Sequence, residues 1–123
     1  MKIVCHELEE IKAAEIISEG IIINSINDAL DIVGNLFYVH YNKLIISKDS
    51  LCPDFFDLKT GLAGDILQKF INYRFNIAII GDFTEYDSKS LQDFIIECNK
   101  GTNINFVKTL EEALDLSIIL HIV

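Results

Sequence analysis

Apolar and polar residues alternate along residues 2 to 8 and 12 to 18, with Ile3, Cys5, Ala14 and Ile16 on the apolar side and an acidic turn at Glu9 and Glu10 between them. A period of two marks a half-buried strand, so this stretch predicts an antiparallel hairpin with Cys5 as a core residue. Gly20 and the short run Ile21 to Ile23 follow, and the period then changes. Ile26, Ala29, Leu30, Val33, Phe37 and His40 form one apolar stripe at helical spacing, with Asp28, Asp31 and Asn35 left outside. That predicts a helix from about Ile26 to Tyr41, capped by Ser25 with Asp28 in its first turn.

The remaining elements alternate. Lys43 to Ser47 reads as a brief strand, and Asn76 to Gly81 is apolar on both sides of the chain, which suits a central parallel strand covered by helices. Between them, Leu62, Ala63, Ile66, Leu67 and Phe70 make the apolar face of a helix that starts near Thr60, although Gly61 and Gly64 are poor helix formers. The two glycines, one turn apart, would let that helix approach the sheet closely. Asp87 or Ser88 caps the next helix, which ends at Lys100 and Gly101, and Ile104 to Val107 is the last strand. Thr109 with Glu112 forms a capping box for a final helix from Leu110 to about Ile118. The order ββαβαβαβα gives a single α/β domain over residues 1–123, with a mixed, mostly parallel central sheet and right-handed crossovers.

Composition narrows the function. The 123 residues are half apolar, enough for one real core, and carry a formal charge of −9 with Lys and Arg scattered singly. A nucleic-acid backbone needs a basic face, so no nucleic-acid role is expected, whereas a protein partner or a small solute fits. Three widely spaced cysteines fit a reducing compartment. Residues 1 to 20 are broken by charges and no apolar run approaches the roughly 20 residues that span a bilayer, so the expectation is a cytoplasmic protein with no membrane contact. The apolar tail Leu116 to Val123 is expected to be buried within the chain, with a homodimer through it as the alternative.

No phosphate loop, nucleophile elbow, zinc-binding His pair or dinucleotide fingerprint is present, and His6, His40 and His121 lie on different elements. No catalytic residue, metal or cofactor is therefore expected. The chemistry concentrates instead in two loops. Segments 48 to 60 and 82 to 89 follow strands that should end on one sheet edge, where open α/β sheets hold ligands. That crevice would gather Asp54, Asp57, Lys59 and Thr60 from one side, and Gly81, Asp82, Tyr86, Ser88 and Lys89 from the other. Two uses follow: a partner-binding or switch surface at Asp57, Lys59, Thr60 and Gly61, or a site for an anionic small molecule in the crevice. Ordinary capping by Asp57 or Thr60 is compatible with either.

The stretches "FFDLKTGLAGDILQKFINYRFNIAIIGDF", "SKSLQDFIIECNKG" and "INFVKTLEEAL" resemble the bacterial family called domain of unknown function 4180, from the first strand to about Leu114. That family carries no established activity. The element order, with Phe55 to Leu62, Ile77 to Gly81 and Phe106 to Leu114, also resembles STAS domains, the anti-sigma-factor-antagonist fold. There an Asp-Ser-Ser-Gly at the corresponding helix start holds a serine whose phosphorylation switches protein binding. That resemblance implies a regulatory module with Thr60 at the switch position and Gly61 at the motif glycine. Lys59 stands where the first serine would be, and Asp57 lies one residue too far upstream.

Overall fold

The computed structural model describes residues 1 to 114. Five strands form one sheet, β1 (Lys2–Leu8), β2 (Ile11–Ile17), β3 (Lys43–Ser47), β4 (Asn76–Ile80) and β5 (Ile104–Val107). The hairpin β1–β2 is antiparallel and every later pairing is parallel. The helices are α1 (Ile26–Tyr38), α2 (Leu62–Asn72), α3 (Lys89–Asn99) and α4 (Leu110–Leu114). Three single-turn 3-10 segments, Lys48–Ser50, Pro53–Phe56 and Leu58–Thr60, lead from β3 to α2, and Phe83–Glu85 is a fourth after β4.

The strands lie in sequence order, β1-β2-β3-β4-β5. Every crossover therefore advances in one direction, and crossovers of one hand then put all their helices on one face. The packing shows this: α1, α2 and α3 cover Ala14, Ile16, Leu44, Ile46, Ile77, Ile79 and Phe106. The opposite face is thinner, with Ala13, Ile45 and Ala78 under Ala113 of α4. The expected mixed α/β sheet is what the chain forms. Its sequential order has no reversal, however, so the topological switch point at which open sheets collect ligands is missing.

Local signals explain most boundaries. Ser25 Oγ accepts the Asp28 N–H at 3.2 Å while the Asp28 carboxylate accepts the Asn24 N–H at 2.9 Å, so each end of the cap answers the other. Ser88 caps α3 through the Leu91 N–H, and Thr109 caps α4 through the Glu112 N–H. Four sequence expectations need correction. The core stripe of α1 runs through Ala29, Val33 and Leu36, so Phe37 faces out, 53% exposed, and the helix stops at Tyr38. Cys5 is exposed, on the edge strand β1. Helix α2 begins at Leu62 rather than at Thr60, after Gly61 takes a left-handed conformation at φ 74. Gly64 has open space around it, so close packing is not its reason. The expected last helix is described to Leu114, and the apolar tail with its expected burial or homodimer contact lies outside the described residues.

Candidate functional site

The loops after β3 and β4 do meet, as the sequence expectation required, because parallel pairing of Ser47 with Ile80 puts both on one edge. Residue chemistry then fixes each short turn. Ser47 Oγ accepts from the Asp49 N–H, Asp57 from the Lys59 N–H at 3.2 Å, and Asp82 from the Thr84 N–H at 3.0 Å. Small polar side chains that bond two residues ahead set such turns without help from the rest of the fold. Asp82 also accepts the Thr84 hydroxyl, and these two bonds hold its carboxyl below the usual carboxylate range.

Thr60 is tied down in the same way. Its Oγ1 lies 2.8 Å from the carbonyl oxygens of both Asp54 and Asp57, and accepts the Leu62 N–H at 3.2 Å. One hydroxyl thus closes the turn behind it and caps the helix in front. Gly61 supplies the left-handed step between the two, which other residues adopt only at a cost.

Beneath the polar rim the two loops pack as solid core. Phe56 stacks on Tyr86 with ring centres 4.9 Å apart, Phe55 meets Phe56 edge-on at 5.1 Å, and Phe83 meets Phe106 at 5.2 Å. The Gln92 side chain on α3 donates to the carbonyls of Phe83 and Tyr86 at 2.7 and 3.1 Å, pinning the second loop. Lys48 crosses from the first loop to pair with Glu85, with its ammonium 5.5 Å above the Tyr86 ring. The Glu85 carboxylate raises the Lys48 pKa, whereas burial raises that of Tyr86. A Cβ on Gly81 would land on the Lys48 methylenes, so a larger residue here would displace the Lys48 stem.

Of the expected crevice residues, Tyr86 and Gly81 belong to this filling, Asp57, Thr60, Asp82 and Ser88 serve as caps, and Asp54, Lys59 and Lys89 face solvent. Lys89 pairs along α3 with Asp93 at 2.8 Å, away from the loop junction. The rings of Phe56 and Tyr86 and the stem of Lys48 fill the space between these residues, and a depression of about 140 Å³ at this edge is lined instead by Ile17, Ser18, Ser47, Ser50 and Ile80. Lys48, Glu85, Phe56 and Gln92 were not singled out by sequence. Gly81 directly after a buried strand was the one available signal of close approach. Among the described residues no group of three His, Cys, Asp or Glu side chains could hold a metal ion, and no helix is long and apolar enough to cross a membrane.

The fold and this packed edge define a small α/β domain whose sequential sheet is covered by three helices on one side. The chain belongs to the family described as domain of unknown function (DUF4180), which it matches over residues 8–116. No curated protein and no solved structure matches it.

Proposed function

We propose that the chain is a non-catalytic regulatory module that binds a protein partner with the loop edge, through the turn at Asp57, Lys59, Thr60 and Gly61 and the neighbouring 82–89 loop. The observation that carries this reading is the aromatic packing below that edge. With Phe56, Tyr86 and Lys48 filling the space between the loops, the edge offers a preformed surface. Preformed surfaces bind without a large ordering cost. Exposed carboxylates dominate it (Asp49, Asp54, Asp57, Asp82, Glu85 and Asp87), which selects a partner with a basic face and steers it by charge.

A switch at Thr60 belongs to the same proposal. Phosphorylation would remove the donor that the Asp54 and Asp57 carbonyls share and set negative charge beside them, so the turn would loosen as well as gain charge. Thr60→Val removes the hydroxyl bonds without charge, and Thr60→Glu adds charge. Both variants are expected to weaken partner capture from native lysate, Thr60→Glu the more. Unchanged capture by both would overturn the role of this turn.

A further inference from the structure

At the opposite edge of the sheet, where α1 and α2 end, the topology sorts charge by sign. The β1–β2 turn carries Glu9 and Glu10, and Glu7 precedes it on β1. Two strands further along, Arg74 leads into β4, with Lys69 in the last turn of α2. The start of β3 lies between them: the Asn42 side chain accepts the Lys12 N–H and donates to the Glu10 carbonyl, both at 2.9 Å. With neighbouring strands about 4.8 Å apart, the acidic turn and Arg74 stand roughly 12 Å from each other along the edge. All three of Glu9, Glu10 and Arg74 are exposed, and among the described residues none of them forms an ion pair.

The middle of this edge is aromatic. Phe37 and Tyr73 meet edge to face at 5.7 Å, and Tyr38 beside them is 83% exposed. Depressions of about 350 and 800 Å³ share Phe37, Tyr41 and Asn42 as walls, and Tyr73 and Arg74 close the smaller one. The Lys12 ammonium, opposite Glu7 in the hairpin register, lies 4.5 Å over the Tyr41 ring and donates to the Val39 carbonyl, so it leaves the acids unpaired. Exposed tyrosines with an arginine at their border are the composition of an interface centre.

We propose that this edge binds the same edge of a second copy of the chain, as a twofold dimer. A twofold interface must be complementary to itself, because each patch meets its own copy reversed. Acids at one end, an arginine at the other and an aromatic middle meet that condition. A twofold axis perpendicular to the sheet, passing beside Asn42, sets Arg74 of one protomer against Glu9 and Glu10 of its partner, and does so twice. The same rotation brings Phe37 and Tyr38 of one protomer over Tyr73 of its partner. Two chains of charge −9 repel over most of their surfaces, and here opposite charges come into register. A foreign partner of either sign is attracted by one end of the edge and repelled by the other. The surface is separate from the loop edge, so either proposal can fail without the other.

The test is sedimentation equilibrium of the full chain at low salt, with a charge swap. Wild type is expected to double in mass as its concentration rises toward about 1 mM. Arg74→Glu puts like charges at both contacts, and so does the double variant Glu9→Lys, Glu10→Lys. Each is expected to dimerise at least about tenfold more weakly than wild type. Mixed one to one, the two variants again oppose unlike charges at both contacts, so the mixture should recover the doubling that neither gives alone. Mixing would not repair a loss caused by misfolding. A wild type that stays monomeric would overturn the proposal and leave the surface to a different protein. Doubling unchanged in both variants would assign self-association to another face, and variants that fail to recover on mixing would remove the charge pairing; either result also overturns it.

Discussion

At the scale of single residues, the two glycines at the head of α2 do different work. Gly61 is needed for its left-handed conformation, whereas Gly64 is exposed inside the helix with open space around it. Gly64→Ala is therefore expected to stabilise the protein by about 0.5–1 kcal/mol, and Gly61→Ala to destabilise it by about 1 kcal/mol or more. Urea unfolding measures both, and loss of stability in Gly64→Ala would contradict the geometry. Lys43 is the residue with the least comfortable charge. It is 4% exposed, its ammonium donates to the Ala113 carbonyl at 2.5 Å, and burial lowers its pKa from 10.5. A lysine with a lowered folded pKa binds fewer protons folded than unfolded, so its burial cost is complete below the folded value and is relieved as pH rises toward 10.5. Lys43→Met should remove that dependence, making the stability difference between variant and wild type shrink between pH 7 and 10. A difference independent of pH would show that the ammonium carries no such cost.

At the scale of elements, most of the architecture was legible because each signal was local. The period-two hairpin, the caps at Ser25, Ser88 and Thr109, and the two-sided apolar run of β4 all appear where the sequence placed them. The stripe of α1 was misread for a physical reason: Leu36 and Phe37 are adjacent and both apolar, and only the angle at which the helix meets the sheet decides which one faces in. Placing Phe37 inside concealed the aromatic surface at the helix ends. The sheet edges also differ in a way no pattern reveals. On β5 the Asn99 side chain accepts the Phe106 N–H at 2.8 Å and donates to the Phe106 carbonyl at 3.1 Å, imitating a neighbouring strand. Asn99→Ala leaves both backbone groups to solvent and is expected to cost about 1–2 kcal/mol and to promote aggregation through the exposed edge. Calorimetry with light scattering checks this, and a variant as stable and soluble as wild type would contradict the role.

At the scale of the whole molecule, two opposite edges carry different surfaces: an acidic rim over packed rings where α2 and α3 begin, and exposed Phe37, Tyr38 and Tyr73 where α1 and α2 end. The sequence brought the two loops of the first to one edge, since strand ends fix which loops meet. It did not anticipate that Phe56, Tyr86 and Lys48 fill the junction, because their meeting depends on long-range packing between loops some thirty residues apart. A partner held by the acidic rim should bind less tightly as salt is raised, because exposed charges are screened beyond roughly 8–10 Å at 0.10–0.15 M. The most direct test reverses charge on the rim without touching a turn cap: affinity capture from native lysate with wild type beside an Asp54→Lys, Asp87→Lys variant, at low and high salt. The account predicts a discrete protein that copurifies with wild type at low salt, is depleted at high salt and is lost with the variant. The same proteins recovered by both, at both salt concentrations, would contradict it.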